Sequence, residues 1–138
     1  MKKKLVVLLS LVLVMCSLLC GCVSTIYTSA PSESKQKKYI ENAETLELKT
    51  LWSALDENSA KAKTTYHGNQ YRVTLNATNI SEDWFEYMYQ DDNGIHSIYI
   101  YMETEELAKL ENGSEVTVIG TVHISGDNAS IRHAFVVE

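Results

Sequence analysis

One stretch of helical periodicity, then five runs of period two, with a short helix between the third run and the fourth, predict a mainly β fold with helices. The specific expectation is a five-stranded OB-fold Greek-key barrel preceded by an N-terminal helix. Five strands in a plain meander packed on helices would give similar runs. The helix between the third and fourth strands decides for the barrel, because the OB order places a helix there to plug one end.

The elements follow in order. Leu48, Leu51, Trp52 and Leu55 fall at i, i+3, i+4 and i+7, one apolar stripe on a helix. Asp56-Glu57-Asn58 interrupts the stripe, Ala62 and Tyr66 resume it, and Gly68 is the expected stop. The period then changes to two. Val73, Leu75 and Ala77 alternate with Arg72, Thr74 and Asn76 in the first strand. Phe85, Tyr87 and Tyr89 alternate with Trp84, Glu86 and Met88 in the second, and Asp91-Asp92-Asn93-Gly94 is a hairpin turn. Ile98, Ile100 and Met102 alternate with Ser97, Tyr99 and Tyr101 in the third. Thr104 is placed to cap the short helix, with Glu105 and Glu106 in its first turn, Leu107 and Leu110 facing inward and Asn112-Gly113 after it. Val116, Val118, Val122 and Ile124 mark the fourth strand. Gly126-Asp127-Asn128 turns it into the fifth, residues 131–137.

The chain has 138 residues, and 12 basic side chains oppose 18 acidic ones. Lys2, Lys3 and Lys4 precede an almost unbroken apolar run, residues 5–19, short for a spanning helix and matched to a secretory leader. The run ends in Leu19-Cys20-Gly21-Cys22, which resembles a bacterial lipobox read at Cys22, with Leu19 three positions before it and Gly21 just before it. Cys16 and Cys20 fit that pattern poorly. The expected organisation is a lipoprotein signal peptide over 1–21, a Ser/Thr/Lys-rich tether over 22–44 and an OB-fold domain over 45–138. Cys22 then carries lipid, and the chain is held outside the cell membrane, in the cell envelope. From residue 22 onward 9 basic and 18 acidic residues give a net charge of −9. That charge disfavours nucleic acid. All cysteines lie in the first 22 residues, so neither a disulfide framework nor a cysteine zinc site is expected in the domain.

Asn58, Ala62, Tyr66 and Gly68 lie ahead of the first strand, and Val73-Thr74 within it. Leu110, Gly113, Val116-Thr117-Val118 and Gly120 extend the pattern into the fourth strand. In these residues the domain resembles a known family, the tRNA_anti-like OB-fold group found among bacterial lipoproteins. These are packing and turn residues, and they imply the fold without implying chemistry. Two positions depart from the pattern: Leu75 stands where members often place Gly, and Ala134 where they often place Cys.

No catalytic motif is visible. Glu103, Glu105 and Glu106 belong to a helix start, where the macrodipole accounts for them. His123 and His133 lie on adjacent expected strands, yet no third ligand is spaced to join them, so no metal and no cofactor is expected. The informative feature is aromatic. Of the twelve Tyr, Trp and Phe residues, six fall in the second and third strands. With Phe85, Tyr87, Ile98 and Ile100 inside, Trp84, Met88, Tyr99 and Tyr101 face outward, flanked by Arg72 and Thr74. That face is the expected ligand surface, unless the Leu48–Leu55 stripe covers it. The chain is therefore read as a non-enzymatic binding module for an envelope protein, peptide or glycan, anchored through Cys22. The alternative is a single-stranded nucleic-acid (tRNA-like) binding OB domain.

Overall fold

The computed structural model describes residues 25–137. The leader and the lipidation expected at Cys22 lie outside the described residues. The elements are α1 (Thr25–Thr28), α2 (Glu33–Asn42), β1 (Glu44–Thr45), α3 (Leu48–Tyr66), β2 (Gln70–Asn76), β3 (Trp84–Asp91), β4 (Gly94–Met102), α4 (Thr104–Leu107), β5 (Glu115–Ser125) and β6 (Asn128–Val136).

One sheet of six strands has the order β1-β2-β5-β6-β4-β3. β2–β5, β5–β6 and β3–β4 are antiparallel, and β4–β6 is parallel. The five long strands are the expected ones and the architecture is OB-like, mainly β with helices, but the expected five-stranded Greek-key barrel is corrected in two respects. A sixth strand, β1, pairs in parallel with β2 at Tyr71 and Arg72 and occupies the edge that closure would need. β2 and β3 then meet only through one bridge beyond β2, Thr78 to Glu86.

Alternation fills the interior as the period requires. Phe85, Ile98, Ile100, Met102, Val73, Val118, Val122, Ile124 and Ile131 are fully or almost fully buried. α3 packs on this core through its buried side chains Leu48, Leu51, Trp52, Leu55 and Ala62, and a cavity of about 290 Å³ remains where Leu48 and Trp52 approach Thr74 of β2 and Tyr87 and Tyr89 of β3. Trp52 stacks on Tyr87, Tyr89 and His96, with ring centroids 6.1, 5.5 and 5.2 Å away. These three lie on the inward-facing side of the hairpin. The helix stripe therefore seats under the barrel and leaves the outer face of β3–β4 to other partners.

Asn58 breaks α3 where the sequence does. Its backbone is extended (φ −165°, ψ 94°) and its Oδ1 accepts the Lys61 N–H at 2.9 Å, capping the second half of the helix. Gly68 takes φ 84° just past the end. The Asp91–Gly94 hairpin forms as expected, and the Asn93 N–H and His96 beside it hold the Asp91 carboxyl below its ordinary pKa. Thr104 does not cap α4: Glu103 occupies the N-cap position, its carbonyl accepts the Glu106 and Leu107 N–H groups, and its side chain makes no capping bond.

The segment read from sequence as a tether, 22–44, carries α1, α2 and the first residue of β1 in its described part. It touches the domain at several points, among them the Ile40 carbonyl, which accepts from Arg72 at 2.7 Å.

Candidate functional site

β3 and β4 form an antiparallel ladder in which Trp84 lies opposite Tyr101, Glu86 opposite Tyr99 and Met88 opposite Ser97. One face of this ladder thus collects Trp84, Met88, Tyr99 and Tyr101, as the sequence predicts. Trp84 and Tyr99 meet edge to face, centroids 4.9 Å apart at 89°. That is a favoured aromatic geometry, and it holds both rings in place. Met88 is 50% exposed and Tyr99 39%. Ile95, at 71%, extends the same stripe to the hairpin tip. The sequence reading missed Ile95, although the period of two that placed Tyr99 also reaches it.

Arg72 and Thr74 do not join this group. They lie on β2, separated from β3 by β5, β6 and β4 in the sheet. Arg72 is engaged by the Ile40 carbonyl, and the Thr74 hydroxyl is 2.8 Å from the Thr117 hydroxyl. The missing β2–β3 ladder is the reason: in a closed barrel the two strands would be neighbours.

The aromatic face carries little positive charge. Glu86 accepts from Asn79 at 2.7 Å. Arg132, on β6, lies over the ring of Tyr27, its guanidinium carbon 3.9 Å from the centroid. Tyr27 also contacts Tyr101, centroids 6.0 Å apart. One end of the face is therefore covered by α1, an element whose Ser/Thr-rich sequence gives no apolar period to announce it.

The histidines pair differently from expectation. His123 lies against His67, ring centroids 4.8 Å apart, and His133 turns instead to the Ser29 carbonyl. Burial, then the charges of Arg132, His67 and Lys63, hold the His123 imidazole below its ordinary pKa. The Nδ1 of His67 accepts the Ile124 N–H at 2.9 Å. Among the described residues no three His, Cys, Asp or Glu side chains are grouped to hold a metal ion. No helix among them is long and apolar enough to cross a membrane.

Comparison with solved structures places this fold beside a candidate nucleic acid-binding lipoprotein from Klebsiella pneumoniae subsp. pneumoniae MGH 78578. The two share 19% identity at a TM-score of 0.58, over 78% of this chain and 99% of that one. A murine DNA-binding protein bound with double-stranded DNA is similar at 16% identity and TM-score 0.41, over 68% of this chain and 47% of that one. The protein ygiW of E. coli is similar at 17% and 0.38, over 56% and 85%. At such identities the first likeness is one of fold alone, and the other two carry no argument. No curated protein matches the chain. The family model of the tRNA_anti-like group matches residues 1–133, and so, with the OB-like sheet beneath it, the chain belongs to the tRNA_anti-like family.

Proposed function

We propose that this protein is a non-catalytic binding module, held at the cell envelope by lipid on Cys22, that takes a neutral or cationic protein, peptide or glycan on the outer face of β3–β4. The observation that carries the reading is the exposed stripe of Ile95, Met88 and Tyr99 beside the fixed Trp84 ring. α3 buries its own stripe elsewhere, so these side chains are not needed to seat it. An apolar strip on an acidic protein favours partners that are uncharged or basic.

The test is capture of a partner from envelope extract by the full chain. Trp84→Ala and Tyr99→Ala should each reduce capture at least tenfold while thermal unfolding shifts by only a few degrees. Undiminished capture by both variants would sink the reading, as would collapse of the fold in both.

The name of the Klebsiella relative favours a second reading, single-stranded nucleic acid stacked on Tyr99 and Trp84. The electrostatics weigh against it. Arg72 and Arg132 are the cations of the strands, and both are engaged by the segment 25–44. Retention on single-stranded DNA that falls steeply with salt would favour this second reading over the first.

A further inference from the structure

Four side chains converge on residues 27–30 at the rim of the aromatic face. Tyr101 and the Arg132 guanidinium hold the Tyr27 ring between them, at 6.0 and 3.9 Å. Two residues on, the Ser29 carbonyl accepts from His133 Nδ1 at 3.0 Å. One residue further, the Ala30 N–H donates to Glu103 Oε1, also at 3.0 Å. The segment is thus recognised as a short peptide would be, by an aromatic ring, a carbonyl two positions later and an N–H three positions later.

Four features of the receiving side set it apart from incidental packing. His133 has φ 54°, one of two non-glycine residues with positive φ among those described. The pairing of β6 shifts register against both β4 and β5 around it, and such irregularities re-aim side chains. The Nε of Arg132 is buried with no hydrogen-bond partner among the described residues. Glu103 leaves the start of its own helix uncapped and gives its carboxylate to Ala30 instead.

Within the segment Thr28 is buried. α2, which continues it, buries no side chain. A cavity of about 440 Å³ remains beneath residues 29–39, against Gln70, Thr121 and His133. Few buried contacts along α2 make its local release inexpensive.

We propose that Tyr101, Arg132, His133 and Glu103 form a peptide-recognition site for a segment bearing an aromatic residue followed by free backbone. Tyr27–Ala30 is its resident occupant, and a partner's tyrosine- or phenylalanine-bearing segment displaces it. The proposal rests on the reading of this face as a binding surface and adds the class of partner and the regulation. A resident segment linked in cis acts at an effective concentration in the millimolar range, so a partner must compete against it.

The test uses the full chain in detergent and a synthetic peptide of residues 24–32, titrated to millimolar concentration. NMR signals of the Tyr101 ring and the Arg132 Nε–H report binding. The peptide should bind the Tyr27→Ala protein at least tenfold more tightly than the parent. A peptide carrying Tyr27→Ala should not bind, and adding Tyr101→Ala to the protein should abolish binding while circular dichroism shows the fold intact. Equal binding to parent and Tyr27→Ala protein, no binding to a folded Tyr27→Ala protein, or indifference to Tyr101→Ala would each overturn the proposal. Trp84 and Tyr99 carry the test of the outer face and make none of these contacts, so either proposal can fail while the other stands.

Discussion

At Gly120, in the middle of β5, the interior leaves no room for a side chain. A Cβ there would drive into Ile131 Cγ2 and come within 3.1 Å of both Ala134 Cβ and the Arg132 carbonyl oxygen. The carbonyl belongs to backbone and cannot rotate away. Gly120→Ala should therefore destabilise the domain by about 1–3 kcal/mol, as overpacking of a filled core does. Denaturant unfolding of variant against parent measures it, and an unchanged midpoint would place β5 and β6 further apart than described. The sequence marks Gly120 as part of a family pattern without saying why. The reason lies 11 residues away in Ile131, where a β-branched side chain fills the space, and no local pattern records that contact. Single positions with a local cause were legible. Asn58 breaks and caps its helix, Gly68 ends it, and Val118 is fully buried in a valine-rich strand.

Among the elements, α3 shows where local reading stops. The 3.6-residue period of Leu48, Leu51, Trp52 and Leu55 establishes that a helix forms and which side is apolar. It leaves open which surface receives that side. The structure seats Trp52 beneath Tyr87, Tyr89 and His96. Trp52→Ala should cost about 3–5 kcal/mol, because a large buried ring stacked on Tyr87, Tyr89 and His96 is lost. Trp84→Ala, on the opposite face, should cost much less. Thermal unfolding of the two variants side by side checks the contrast, and a reversed order would put α3 on the outer face. α1 and α2 were not legible as elements. Their residues carry no apolar period, and α2 buries none of them. What holds the segment is a set of contacts to distant residues, Arg72, Tyr101, Glu103, Arg132 and His133.

At the scale of the whole molecule, the proposed anchor at Cys22 and the aromatic face are connected by very little chain. Cys22 and Tyr27 are five residues apart, so a lipid on Cys22 would hold the Tyr101 end of the face within about 18 Å of chain from the membrane. Cys22→Ala in the full chain should leave an unprocessed precursor that keeps residues 1–21 and lacks lipid, read by mass spectrometry. An unchanged mature mass in the variant would refute lipidation there. The sequence by itself determined the elements and their faces: five long strands, a broken helix, a hairpin at Asp91–Gly94, and the alternation that sets Trp84, Met88, Tyr99 and Tyr101 on one side. These follow from periods of two and 3.6 residues and from turn chemistry, all written within a few residues of one another. Only the tertiary structure decided that β1 takes the edge of β2, that the barrel stays open toward β3, that Arg72 and Thr74 fall outside the aromatic group, and that Tyr27 lies between Tyr101 and Arg132. Each depends on which of several available edges or rings a distant segment meets. That competition is settled by packing across the whole chain rather than by any local pattern.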